Sequence, residues 1–206
     1  MYKGERFNSI THLIGAVLSI AGLVVLVVFA ADQGDPWKII SASIFGVTLV
    51  LLYSFSTLYH SIRGKNKAIF RKLDHHAIFF LIAGSYTPFT LVTLRGTWGW
   101  SLFGIIWGLA IIGMIVESLP VKGRRILPVI FYILMGWTCL IAIKPILDSL
   151  PIAGFYWLLA GGLFYTVGII FYAFDSHVRH FHGIWHLFVL AGSLSHYIAI
   201  LYYVIL

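Results

Sequence analysis

Charge is what this sequence has least of. Of its 206 residues only 10% are Asp, Glu, Lys or Arg, and just 7 are acidic. A soluble domain of this size carries roughly a quarter of its residues as charges to cover its surface, so a water-soluble globular fold is excluded. Cysteine is nearly absent too. Cys139 stands alone inside an apolar run, which rules out a disulfide within the chain and leaves it as a small core residue far from the histidines. Internal repeats, low-complexity tails and a stretch polar enough for a soluble domain are also missing.

What remains is apolar and aromatic: 60% of residues are hydrophobic and 17% are Phe, Trp or Tyr. Seven apolar stretches of about twenty residues can be marked, each long enough for the hydrocarbon core. They run over 10–31, 38–61, 75–94, 98–118, 126–147, 154–174 and 184–206. They predict an all-α fold, an integral membrane bundle of seven transmembrane helices that uses 1–206 as a single domain. The breaks between them carry turn residues and charges, such as Asp32-Gln-Gly-Asp-Pro and Asp148 to Pro151. Lys3 and Arg6 before the first stretch resemble a signal peptide, but the stretch is too long for one and reads as an uncleaved helix.

The excess of basic residues invites a nucleic-acid reading, which their positions exclude. Lys3, Arg6, Arg63, Lys65, Lys67, Arg71, Lys72, Lys122, Arg124, Arg125 and Arg179 all fall on the N-terminal side of the bundle. Only Lys38, Arg95 and Lys144 fall on the other. That asymmetry places the N-terminus in the cytoplasm and the C-terminus outside, in a multi-pass protein of the plasma (cell) membrane.

Three features are architectural by this reading. Gly104-x-x-x-Gly108 is a site of close helix approach, Pro88 bends the third helix, and Glu117 pairs at the interface with Lys122 or Arg124.

Chemistry gathers at one depth. His182 and His186 lie four apart, so a helix presents both on one face. His60 ends the second stretch with Ser56 one turn before it, and Asp74 opens the third. Three distant segments thus deliver three histidines, a serine and a carboxylate to the same leaflet. Three imidazoles with one open position describe a catalytic zinc site, since structural sites are closed by a fourth protein ligand. Zinc lowers the pKa of a bound water to about 7. In this scheme Asp74 holds the water and accepts its proton, while Ser56 stabilises the oxyanion or orients a ligand. His177 and His180 form a rival pair in a loop, and His75 and His76 are either supports for the site or headgroup contacts. His196 sits near the midplane and needs a buried hydrogen bond. Glu5, Asn8 and His12 share a helical face, as a local cap or as a brace for the site.

Together, Glu5-x-x-Asn8-x-x-Thr11-His12, Ser56-x-x-x-His60, Lys72-Leu-Asp74 and His182-x-x-x-His186 resemble the hemolysin III group of the progestin and adipoQ receptor (PAQR) family. The resemblance spans nearly the whole chain. It implies a seven-helix bundle with a cytoplasmic-side zinc held by His60, His182 and His186, with Asp74 and Ser56 supporting the site. The wider superfamily includes alkaline ceramidases, which implies hydrolysis of a lipid amide or ester. The receptor members have a long N-terminal region that this sequence lacks, which argues against a hormone-receptor role. Two other readings remain: a membrane sensor whose zinc only fixes helices, and a pore-forming cytolysin.

Overall fold

The computed structural model describes residues 4–120 and 126–206. Lys3, Lys122, Arg124 and Arg125, which entered the charge argument, lie outside the described residues. Among the described residues there is no strand. Seven helices are long and apolar enough to cross a membrane: α1 (Arg6–Asp32), α2 (Pro36–Ser61), α3 (Lys67–Thr93), α4 (Thr97–Ser118), α5 (Ile126–Ser149), α6 (Ile152–Ala173) and α7 (Phe181–Ile205). Helices satisfy every interior backbone group within themselves, which is what a hydrocarbon environment demands.

The helices outrun the apolar stretches at the end where α1 begins. α1 starts at Arg6, α3 at Lys67 and α7 at Phe181, ahead of the apolar runs at 10, 75 and 184. An apolar run measures the hydrocarbon thickness, whereas a helix continues through polar turns beyond it. Asp74 therefore lies two turns inside α3 rather than opening it. At the opposite end, Gly34 takes φ +68° to turn the chain. Asp35 then caps α2 by accepting the Trp37 N–H at 2.9 Å, with Pro36 in the first turn, where its missing N–H costs nothing. Arg95 Nη2 donates to both oxygens of the same carboxylate at 2.9 and 2.8 Å and ties the α3–α4 connection to the α1–α2 turn.

Two helices change pitch inside the span. After Pro88 the chain of α3 winds as a π-type turn over Phe89–Thr93, because a proline nitrogen has no hydrogen to give its carbonyl partner. α5 tightens to a 3₁₀ turn over Thr138–Ala142. There the Tyr86 hydroxyl donates to the Gly136 carbonyl at 2.8 Å and accepts the Cys139 N–H at 2.9 Å. Cys139 is half-buried against the core, as a small packing residue.

The main core joins α2 (Phe45, Leu49, Leu52, Tyr53) to α7 (Val189, Ala199, Ile200). A smaller one joins α3 (Phe79, Ala83), α4 (Ile106, Ala110) and α5 (Met135). Gly113 of α4 lies directly against the Phe79 ring. Gly104 and Gly108 do not behave as expected: a Cβ at either would meet nothing within 4 Å. The motif faces away from the bundle, so it does not bring two helices of this chain together; spacing alone cannot say which face of a helix is covered.

Candidate metal centre

Four helix ends build one polar cluster. His60 ends α2 at 3% exposure, and His186, one turn into α7, is 2% exposed. His182 sits one turn before His186, with one edge open. The three rings face one another with centres 5.0, 5.0 and 4.8 Å apart. One nitrogen from each can be chosen so that all lie within 4.8 Å of one another.

The tautomers follow from the partners. His60 Nδ1 lies 2.7 Å from Glu5 Oε2, and His182 Nδ1 lies 2.7 Å from Asp175 Oδ2. His186 Nδ1 lies 3.2 Å from the Asn8 carbonyl and 3.3 Å from Thr11 Oγ1. A carboxylate or carbonyl oxygen can only accept, so each Nδ1 carries the hydrogen and each Nε2 keeps its lone pair. The Nε2 of His60 is buried with no hydrogen-bond partner, which costs free energy unless a ligand occupies it. An ion about 2.1 Å from each Nε2 in tetrahedral array would set the ring centres roughly 5 Å apart, close to the spacing observed. Imidazoles oriented through Nδ1 by carboxylates are the usual second layer of a zinc site. The residues present therefore fit a Zn2+ ion.

Electrostatics point the same way. Glu5, the residue preceding α1, makes no side-chain cap. It takes the His60 hydrogen bond, accepts from Asn8 Nδ2 at 2.9 Å and lies 3.5 Å from Lys67 Nζ. The His60 hydrogen bond holds its carboxyl down at about 2. Two braced carboxylates, Glu5 and Asp175, match the charge of a divalent ion in a place where net charge is expensive.

Ser56 and Asp74 stand beside the imidazoles. Ser56 and the Asp74 carboxylate are near neighbours, with His60 and His182 close to the same carboxylate. Ser56 and Asp74 both line a cavity of about 120 Å³ that starts at His182 and His186 and runs inward between apolar walls, among them Leu52, Ile78, Ile82 and Val189. A second cavity of about 80 Å³ adjoins it deeper in the bundle.

The remaining predicted residues sort themselves. Asn8, Thr11 and Glu5 act as a brace, not a cap. His12 stacks on the His186 ring at 3.6 Å and 13°, edge-on to Tyr53, with both nitrogens buried and unpartnered. His177 and His180 lie in the α6–α7 connection and its end, outside the trio. His75 bonds Glu117 at 2.7 Å and His76 bonds Ser118 at 3.0 Å, both across to α4. Glu117 thus has a histidine among its partners; Lys122 and Arg124 lie outside the described residues. His196 donates from Nε2 to the Leu158 carbonyl at 3.2 Å, the buried bond its depth requires. Asp175 was not anticipated. It lies seven residues before His182 across a non-helical connection, so no periodic spacing links them.

Fold and site together define a class: a seven-helix membrane protein with three convergent imidazoles at one end of the bundle. The chain matches the family described as Haemolysin-III related over residues 1–197, and it belongs to that family. It is 47% identical over 204 residues to Hemolysin-3 of Bacillus cereus, covering 98% of this chain and 93% of that one. It is 48% identical over 202 residues to the Hemolysin-3 homolog of Bacillus subtilis (strain 168), covering 98% and 94%. The human Monocyte to macrophage differentiation factor is 30% identical over 199 residues, covering 94% and 81%.

Proposed function

We propose that this protein is a zinc-dependent hydrolase of a lipid amide or ester, working at the cytoplasmic face of the plasma membrane as a single seven-helix domain. The observation that carries the reading is the convergence of three Nδ1-braced imidazoles with a Ser56–Asp74 pair at the head of an apolar cavity. His60, His182 and His186 hold the ion. The ion, when bound, supplies Lewis acidity and a nucleophilic oxygen at neutral pH. Asp74 orients the attacking water and takes its proton. Once protonated, Asp74 frees the Ser56 hydrogen for the developing oxyanion and then passes its proton to the leaving nitrogen or oxygen as the acyl bond breaks. The apolar walls admit a chain sideways from the bilayer and keep bulk water away from the carbonyl. The basic loops on the side of the site support a cytoplasmic N-terminus.

The test is metal analysis of purified wild type beside His186→Ala, coupled to hydrolysis of a panel of ceramides, acyl esters and phospholipids. Stoichiometric zinc and turnover that disappear together in the variant support the hydrolase. A second reading, a sensor of membrane state whose zinc only joins α2 to α7, is favoured by the burial of His60 and His186. Zinc retained without turnover across the whole panel would establish that reading instead.

A further inference from the structure

The two cavities meet at a neck. Six residues line both: Ser85, Tyr86, Gly136, Trp137, Gly162 and His196. Hydrogen bonds fix the three rings among them. Tyr86 is held by Gly136 and Cys139, Trp137 Nε1 donates to Thr166 Oγ1 at 3.1 Å, and His196 is held by the Leu158 carbonyl. The two glycines are different. A Cβ on Gly136 or Gly162 would meet nothing within 4 Å, whereas one on the neighbouring Gly161 would run into the His196 ring. Gly161 is small because a side chain packs on it. Gly136 and Gly162, by contrast, line both cavities, and the space beside each is open.

Depth gives the neck a meaning. His186 and His196 are ten residues apart on one helix, about 15 Å along its axis. That is about half of a hydrocarbon core of about 30 Å, which is the depth of one leaflet. A short acyl chain with its polar end at the imidazoles finishes above the neck. A long extended chain must pass it, into the walls formed by Phe89, Leu94, Leu102, Ile146, Phe155 and Leu159.

We propose that the deeper cavity is a subsite for the far end of a long acyl chain, and that Gly136 and Gly162 hold the neck open and so set the chain length the protein accepts. This rests on the reading of the imidazole site as one that receives a lipid. It adds the class of lipid: one with a single unbranched chain long enough to cross a leaflet.

The experiment measures equilibrium binding of isotope-labelled octanoic and octadecanoic acids to the full-length, metal-loaded protein in detergent. It compares wild type with Gly162→Leu on α6 and Gly136→Leu on α5. Neither glycine has positive φ, and leucine is the better helix former, so both variants keep the wild-type melting temperature within a few degrees. Each variant is expected to weaken octadecanoic acid at least about tenfold, the consequence of excluding a few methylenes from apolar surroundings. Octanoic acid stays within about twofold, as its methylenes never reach the neck. Equal loss of both acids, no change in either, or a wild type that does not prefer the longer acid would overturn the proposal. Binding is the readout, so the two ideas separate. Selectivity without hydrolysis removes only the enzyme, and hydrolysis indifferent to chain length removes only the ruler.

Discussion

The end of the bundle where α1, α2, α3 and α7 meet and the middle of the wall made by α5 and α6 obey opposite rules. In α3 and α7, 61% and 56% of the most apolar window is buried; in α5 and α6 only 17% is. At the first region each imidazole of the trio His60, His182 and His186 is tied to an oxygen of another segment. At the second, two glycines face open space. Fixed geometry is needed where ligands must converge within tenths of an ångström. A flexible chain needs only room. The contrast says that the protein spends its few polar residues on one point and leaves the rest to shape.

Removing a ligand is the strongest way to break the comparison. His60→Ala and His186→Ala are both expected to purify without stoichiometric zinc, because two imidazoles leave half of the tetrahedral shell to water. Elemental analysis of the purified proteins checks this. If either variant keeps full metal, the trio is not the binding site.

The braces sharpen it. Glu5→Gln and Asp175→Asn preserve shape but lose the anionic acceptor at 2.7 Å. Each is expected to weaken zinc by about 10- to 100-fold in a chelator competition. Thr11→Val should cost less, since the hydroxyl lies 3.3 Å from His186 and the Asn8 carbonyl remains. A Thr11→Val effect as large as that of Asp175→Asn would mean that all three ligands are braced alike.

How much of this was legible beforehand depended on whether a pattern had a period. The seven spans were, because hydrocarbon thickness imposes a length on them. His182 and His186 were, because four residues make one turn, and His60 joined them by depth alone. Asp175 was invisible because the loop between it and His182 has no periodicity. Glu117 bonds His75 on α3, a partner from another helix that no spacing along the chain signals. The Gly104 and Gly108 spacing was read correctly as a small-residue face and wrongly as a covered one. A face is covered only by tertiary packing, which a single helix does not encode.

A midplane clamp offers an intermediate effect. Ser193 Oγ receives the Tyr53 hydroxyl at 2.7 Å and pairs with that of Tyr165 at 2.8 Å, joining α2, α6 and α7. Ser193→Ala removes both bonds and leaves Tyr53 only the longer one to the Val189 carbonyl at 3.4 Å, at on the order of 1–2 kcal/mol for two interhelical bonds in a membrane protein. Reversible unfolding in mixed micelles measures it. Metal affinity should not move, because the clamp lies two turns from His186. A parallel loss of zinc would show that the two regions are mechanically one.

The smallest effect tests the outward face of α4. Gly113→Val must push the Phe79 ring aside, at about 1–3 kcal/mol for overpacking a filled core. Gly104→Val, nine residues earlier on the same helix, enters open space and should shift stability by no more than about 0.5 kcal/mol. Thermal unfolding of the pair at equal protein and detergent concentration decides it. A Gly104→Val cost equal to that of Gly113→Val would mean that a neighbour from outside the chain covers this face of α4. The motif would then be a packing site after all, between molecules rather than within one.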